Sequence, residues 1–127
     1  MNDIQNHNLD YLAARRAQEL IGALKDKKGL KIKDVENSLT KTLGVLQENG
    51  VYACFLYLLA REEKISQTVI GQMRELLNEA GIQDKSNKAL EYAAELTADL
   101  PTLLLAKEAL ERFLTYARYG AKAAQKE

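Results

Sequence analysis

The chain has 127 residues, and its 18 Lys and Arg residues balance 18 Asp and Glu residues, so the formal net charge is zero. With 46% hydrophobic and 28% charged residues, the composition is that of a folded globular protein and excludes wholesale disorder. One cysteine, Cys54, excludes an internal disulfide, and one histidine, His7, excludes the usual zinc ligand sets. We therefore predict no metal and no cofactor.

The start of the chain, residues 1–10, is polar and lacks the apolar run of a signal peptide. The longest nearly unbroken apolar run, residues 51–60, has about half the length that a bilayer requires. A chain of this size buries one core without disulfides or metals. We predict one helical domain over residues 1–127 in the cytoplasm, with residues 1–8 as a flexible tail and no membrane contact.

Three glycines are each followed by an apolar residue, at Gly29-Leu30, Gly50-Val51 and Gly81-Ile82. A helix often ends at a glycine in the left-handed conformation, and the apolar residue beyond it packs back on the last turn. The three glycines therefore predict three helix ends, near residues 28, 49 and 80.

Apolar residues at helical spacing fill the segments between these glycines. They predict an all-α bundle of about six helices, over residues 9–28, 32–48, 51–62, 66–80, 86–98 and 99 onward. Ser66 is the predicted N-cap of the fourth helix, and Pro101 lies in the first turn of the last helix, where proline is tolerated. The third helix is apolar nearly all round, which indicates the centre of the bundle or an oligomer contact.

The last helix has two faces of different chemistry. From Arg112 to Lys126 it holds four cations and no acid. Six residues within about one third of its circumference form what we call the terminal strip: Arg112, Thr115, Arg118, Tyr119, Lys122 and Lys126. The opposite face is built to pack and consists of Leu110, Phe113, Leu114, Ala117, Ala121 and Ala124.

Charge is unevenly distributed along the chain. Residues 1–41 sum to +2, residues 42–111 to −5 and residues 112–127 to +3. Such a chain can attract a polyanion at its basic parts or dock head to tail on copies of itself. The alternative is a solvated surface that only keeps the protein soluble.

The residue patterns that an enzyme requires are missing. The glycines are scattered and form no phosphate-binding loop, and no serine lies in a nucleophile elbow. The carboxylate pairs Glu62-Glu63 and Glu108-Glu111 lie beside cations and indicate surface ion pairs. The fourth helix carries too few cations to read DNA bases. We predict a protein that is not an enzyme and has no small-molecule substrate.

Cations in two places favour binding of a nucleic-acid backbone. Arg and Lys side chains neutralise phosphates, and a tyrosine can stack on an unpaired base. Arg118, Tyr119 and Lys122 combine both properties about one helical turn apart. A second group surrounds Gly29 and consists of Lys25, Lys27, Lys28, Lys31 and Lys33. Lysines near a helix C-terminus also interact favourably with the helix dipole, which is the alternative explanation for this group.

Two stretches of the chain have a recognisable pattern. The first is a predicted helix, a glycine and an apolar helix, over residues 41–51 and 55–58. The second covers residues 105–110 and 116–122 and contains an aromatic–Arg–aromatic–Gly cluster near its end. Both stretches resemble the small helical subunit of the Cmr CRISPR effector complex, the type III-B system. The resemblance implies a non-catalytic subunit that stacks with other effector subunits and with copies of itself. It also implies contact with the backbone of guide and target RNA.

Two alternatives to this family remain. One is the small subunit of the related Csm complex, the type III-A system. The other is a helical adaptor that oligomerises without binding nucleic acid.

Five residues are predicted to contact RNA: Arg16, Lys41, Arg112, Arg118 and Lys122. Arg118 matches the terminal arginine of the family, so its role is implied by the resemblance. The other four are chosen from charge and from their position on a helix face.

Overall fold

The computed structural model describes residues 8–84 and 86–126. Within them the chain forms six α-helices and no strand, which confirms the predicted all-α bundle. The helices are α1 (Leu9–Lys25), α2 (Ile32–Asn49), α3 (Val51–Arg61), α4 (Glu63–Glu79), α5 (Ala89–Leu96) and α6 (Leu100–Ala124). No helix in this described part is long and apolar enough to span a membrane.

Helix α6 packs against α1 along one side, and the two helices run parallel. Near the start of α1, Asp10 accepts a hydrogen bond from Arg112 at 3.4 Å. Further along, Ile21 lies against Gly120. Both contacts join residues in the same chain order, so the C-terminal ends of α1 and α6 lie at the same end of the bundle.

Helix α2 packs against the other side of α6 and runs antiparallel to it. Gln47 donates a hydrogen bond to Glu111 at 3.0 Å, and Gln125 donates one to Glu36 at 2.7 Å. The beginning of α2 therefore lies beside the end of α6.

Helix α4 packs antiparallel on α1, since Lys27 just beyond α1 donates to the Lys64 carbonyl at 2.8 Å. Helix α3 links α2 to α4, and α5 packs on α3 through the rings of Phe55 and Tyr92, whose centroids are 6.0 Å apart. All six helices contribute to one hydrophobic core, with Phe113 of α6 fully buried in it.

The three glycines predicted to end helices all have positive φ, but only one ends a helix in the way described. At the end of α4, Gly81 has φ +100°. Its N–H donates to the Asn78 carbonyl at 3.1 Å, and the Ile82 N–H donates to the Leu77 carbonyl at 2.9 Å. These two bonds form a Schellman motif. Gly50 is the C-cap of α2 and donates its N–H to the Leu46 carbonyl at 3.0 Å, so α2 ends at Asn49 as predicted, although α3 follows at once. Gly29 lies within the loop after α1.

The predicted end of α1, start of α4 and extent of the N-terminal tail are wrong. Helix α1 ends at Lys25, three residues earlier than predicted. Helix α4 begins at Glu63 with Glu62 as its N-cap, because only Glu62 separates it from α3; Ser66 is buried inside the helix. Asn8 belongs to no flexible tail, since its side chain accepts from the Tyr11 N–H at 3.0 Å as the N-cap of α1. The rest of that predicted tail lies outside the described residues.

Helix α5 is shorter than the predicted 86–98, and Arg74 supplies the physical reason. The Arg74 Nε donates to Asp84 at 2.7 Å, and its guanidinium lies 4.5 Å from the centre of the Tyr92 ring. The hydrogen bond from Arg74 lowers the pKa of Asp84, because it stabilises the charged carboxylate. Arg74 also donates to the Ser86 carbonyl, a group that a helix starting at residue 86 would use for its own hydrogen bond, and α5 begins only at Ala89.

Helix α3 is not the centre of the bundle. One side is buried, including Val51, Phe55 and Cys54, but Tyr52 and Leu56 are exposed. Burial raises the pKa of the Cys54 thiol to about 12, so it stays protonated and serves as a small apolar side chain.

Two Gly→Ala changes, one within α4 and one just after it, are expected to change the free energy of unfolding in opposite directions. An added Cβ meets nothing within 4 Å at either Gly71 or Gly81. Gly81→Ala should lower the free energy of unfolding by about 1–2 kcal/mol, because an L-residue is strained at positive φ. Gly71→Ala, in the helix interior, should raise it by about 0.5–1 kcal/mol. Chemical denaturation of both variants measures the effects, and a neutral Gly81→Ala would contradict the strained geometry.

Candidate nucleic-acid interface

The terminal strip lies on the outer side of α6, as predicted. The opposite face is in the core, with Leu110, Phe113, Ala117 and Ala121 fully buried. Since α1 and α2 cover the two flanks, this outer side is the part of α6 that meets solvent. Tyr119 is 55% exposed there.

The N-terminal half of the terminal strip carries charges of both signs. The Arg112 guanidinium donates to Glu108 at 2.7 Å and to Asp10 of α1 at 3.4 Å. The Tyr116 hydroxyl donates to the same Asp10 carboxylate. The hydrogen bond to Glu108 raises the pKa of Arg112. Arg112 is therefore held between two carboxylates, and its charge is largely neutralised locally.

The C-terminal half is different, and we call it the cationic segment: Arg118, Tyr119, Lys122 and Lys126. Within residues 8–84 and 86–126, no carboxylate forms an ion pair with Arg118, Lys122 or Lys126. Lys122 and Lys126 are exposed, and Arg118 is half-buried. The Arg118 guanidinium carbon lies 5.1 Å from the centre of the Tyr119 ring. The segment thus combines an accessible aromatic ring with cations that form no ion pair within the described residues, and the nearby Glu36 of α2 accepts a hydrogen bond from Gln125 instead.

Lys41 is exposed on α2 but does not join the cationic segment. The Gln47–Glu111 and Gln125–Glu36 hydrogen bonds place Lys41 level with Arg118 along the bundle. Around the α2 axis, however, Lys41 lies about 120–140° from Gln47 and Glu36. Lys41 therefore lies on a side of α2 that does not face α6.

Arg16 is in the interior, so it does not belong to this surface. It is only 8% exposed and lies between α1 and α4. Its guanidinium donates to Gln72 and to Glu19, both at 3.1 Å, and Nε lies 3.5 Å from Glu79. Glu19 and Glu79 balance the charge, and Gln72 and Glu79 tie α1 to α4, while the buried Arg16 Nε forms an ion pair but no hydrogen bond. Of the five predicted contact residues, Arg112, Arg118 and Lys122 share the outer side of α6, and of these three Arg112 alone forms an ion pair within the described residues.

Sequence reasoning predicted the surface ion pair of Glu108 but missed Asp10, the other acid that faces the N-terminal half of the terminal strip. Glu108 is detectable from the sequence, because it precedes Arg112 by four residues, the spacing of a helical ion pair. Asp10 is 102 residues away along the chain, and no local signal indicates its contact with Arg112.

No group of three His, Cys, Asp or Glu side chains that could hold a metal ion occurs in the described part of the chain. Comparisons with protein-family models, curated proteins and solved structures found no match for this chain. The similarity to the small Cmr subunit therefore stays a prediction that depends on the quoted sequence stretches.

The contact between Asp10 and the terminal strip can be tested through Tyr116. The hydrogen bond to Asp10 raises the pKa of the Tyr116 hydroxyl, while Arg112 lowers it. Asp10→Ala removes the first effect and leaves the second, so the pKa of Tyr116 should fall. A pH titration of ring-labelled tyrosines by NMR measures this. The control is Asp34→Ala, which removes the same charge elsewhere and should leave the pKa of Tyr116 unchanged. If Asp10→Ala also leaves the pKa of Tyr116 unchanged, the contact between Asp10 and Tyr116 is refuted.

Proposed function

We propose that this protein is a cytoplasmic, non-catalytic subunit of a type III-B CRISPR effector complex that binds RNA without reading its sequence. The observation that carries the proposal is the cationic segment, where Arg118, Lys122 and Lys126 lack carboxylate partners within the described residues. Its partners would be larger effector subunits, copies of itself and the backbone of guide and target RNA.

The chemistry of the cationic segment suits a phosphate backbone. From Arg118 to Lys126 the helix rises about 12 Å. Three cations over that distance release counterions from a polyanion when they neutralise its phosphates. Arg118 can donate two hydrogen bonds to one phosphate, which a lysine cannot do in a fixed geometry.

The same residues supply few groups that read bases. Arginine and lysine can contact guanine edges, but adenine and cytosine are read mainly by amide and carboxylate side chains, and the cationic segment has neither. Tyr119 presents an open ring on which any unpaired base can stack. Sequence-tolerant binding follows from this composition.

A helical adaptor that oligomerises without RNA is the second candidate, and exposed leucines favour it. Leu100 and Leu104 lie one turn apart on α6 and are 65% and 58% exposed. The two candidates differ in a simple observable, because the adaptor self-associates in a salt-sensitive way and binds no RNA. Sedimentation at low and high salt, with and without RNA, separates them. A type III-A complex would use the same RNA-binding surface.

Reversing two charges of the cationic segment should abolish RNA binding. The variant Arg118→Glu/Lys122→Glu replaces two phosphate contacts by repulsion, while neither residue forms an ion pair within the described residues that folding would lose. Fluorescence anisotropy of a labelled RNA over a range of salt concentrations measures the loss, and the melting temperature should stay within about 2 °C.

The matched control is Lys88→Glu/Lys107→Glu, which changes the net charge equally at positions outside the cationic segment. It should retain most of the affinity. Equal losses in both variants would mean that only net charge matters, and undiminished binding by Arg118→Glu/Lys122→Glu would rule out the cationic segment as the site.

The family assignment has its own test, co-purification from the native cell. A tagged copy of the chain should bring down larger CRISPR effector subunits together with guide RNA, identified by mass spectrometry and RNA sequencing. Arg118→Glu/Lys122→Glu should still recover the protein subunits, because its defect is confined to RNA contact. Recovery of the chain alone, or with unrelated proteins, would contradict membership in such a complex.

A further inference from the structure

The end of the bundle beyond the cationic segment is also basic, and three helices meet there. Gln125 after α6 donates to Glu36 in the first turns of α2 at 2.7 Å. Lys25 of α1 and Ala124 of α6 line one groove. The loop between α1 and α2, residues 26–31, therefore lies next to the C-terminus of α6.

Three exposed lysines project from this region: Lys28, Lys31 and Lys33. In the part of the chain that the structure describes, none of them forms an ion pair with a carboxylate. Lys33 precedes Glu36 by one helical turn, so both lie on the side of α2 that faces α6. Residues 25–34, which contain these lysines, also contain two acids. Asp26 is exposed, while Asp34 lines a groove on the α4 side together with Glu62, Glu63, Arg61 and Lys64.

The loop that carries these lysines is held in place. Lys27 Nζ donates to the Lys64 carbonyl at 2.8 Å, which fixes the loop to the start of α4. The Leu30 N–H donates to the Lys27 carbonyl at 3.3 Å, and the Leu30 side chain packs on the core. Gly29 allows the turn with φ +78°. Lys28 and Lys31 are thus presented from a fixed backbone, which reduces the entropy lost on binding.

We propose that Lys28, Lys31 and Lys33 continue the RNA-binding surface of the cationic segment, so that a single RNA strand passes from α6 across this end of the bundle. The inference rests on the proposed function and adds both the path and the form of the RNA. The path turns from the side of α6 onto the end of the bundle. A nucleic-acid duplex is stiff over such a distance, since that of DNA has a persistence length of about 50 nm, whereas a single strand follows a curved cationic surface.

The test neutralises two loop lysines and varies the length of the RNA. Lys28→Gln/Lys31→Gln should lower the slope of log affinity against log salt by about 1.4 for a single strand of about 16 nucleotides, which spans the whole path. For a strand of about 4 nucleotides, which covers the cationic segment alone, the variant should bind like the wild type. Lys88→Gln/Lys107→Gln is the control of equal charge, and a duplex of the longer length should show no loss with either variant.

The outcomes separate this inference from the proposed function. If Arg118→Glu/Lys122→Glu abolishes binding while Lys28→Gln/Lys31→Gln changes no slope at the longer length, the RNA path is wrong and the proposed function stands. An equal loss for the duplex and the single strand overturns the single-strand assignment. If the wild type binds no RNA at either length, the proposed function and the path fail together.

Discussion

The packing of α6 between a parallel α1 and an antiparallel α2 is the constraint on which the other surfaces depend. Small residues on its inner face, Ala117 and Ala121, are fully buried where the flanking helices approach, and Phe113 fills the core one turn earlier. Only the outer side of α6 then meets water. Because α1 runs with α6 and α2 runs against it, the loop joining α1 to α2 must lie at the C-terminal end of α6. The fold thereby places Lys28, Lys31 and Lys33, which are distant in sequence, near the C-terminal end of the terminal strip.

Paired and unpaired charges follow from this arrangement. Arg112 has an acid one turn before it on α6 and another across the contact with α1. Beyond Thr115, no acid among the described residues forms an ion pair with the cations of α6 or with Lys126. An exposed charge costs little while water solvates it, so the unpaired cations do not destabilise the free protein. Arg16 is the opposite case, because a buried guanidinium requires its partners Glu19 and Glu79.

Features governed by neighbours along the chain could be predicted from the sequence, and features governed by tertiary contacts could not. The buried face of α6 and the end of α4 at Gly81 depend on helical periodicity and on one backbone angle, which local patterns encode. The late start of α5 accompanies contacts from Arg74 of another helix, and Arg112 pairs with the distant Asp10 in addition to the local acid Glu108. For the candidate site, the sequence therefore predicted which side of α6 carries the cations. It did not predict that Asp10 would pair with the cation in the N-terminal half of that side.

The zero net charge of the chain does not oppose binding of a polyanion. Helix α6 has 25 residues and is about 37 Å long, so Asp99 at its N-cap is far from Lys126. At physiological ionic strength the Debye length is about 8 Å, and solvent-exposed charges separated by several such lengths barely interact. A phosphate at the cationic segment therefore responds to Arg118, Lys122 and Lys126 and hardly to the acids at the other end. The affinity for a polyanion is therefore decided by the local charge at the C-terminal end of α6. The length of α6 keeps the acids near its N-terminus too far away to weaken that local charge.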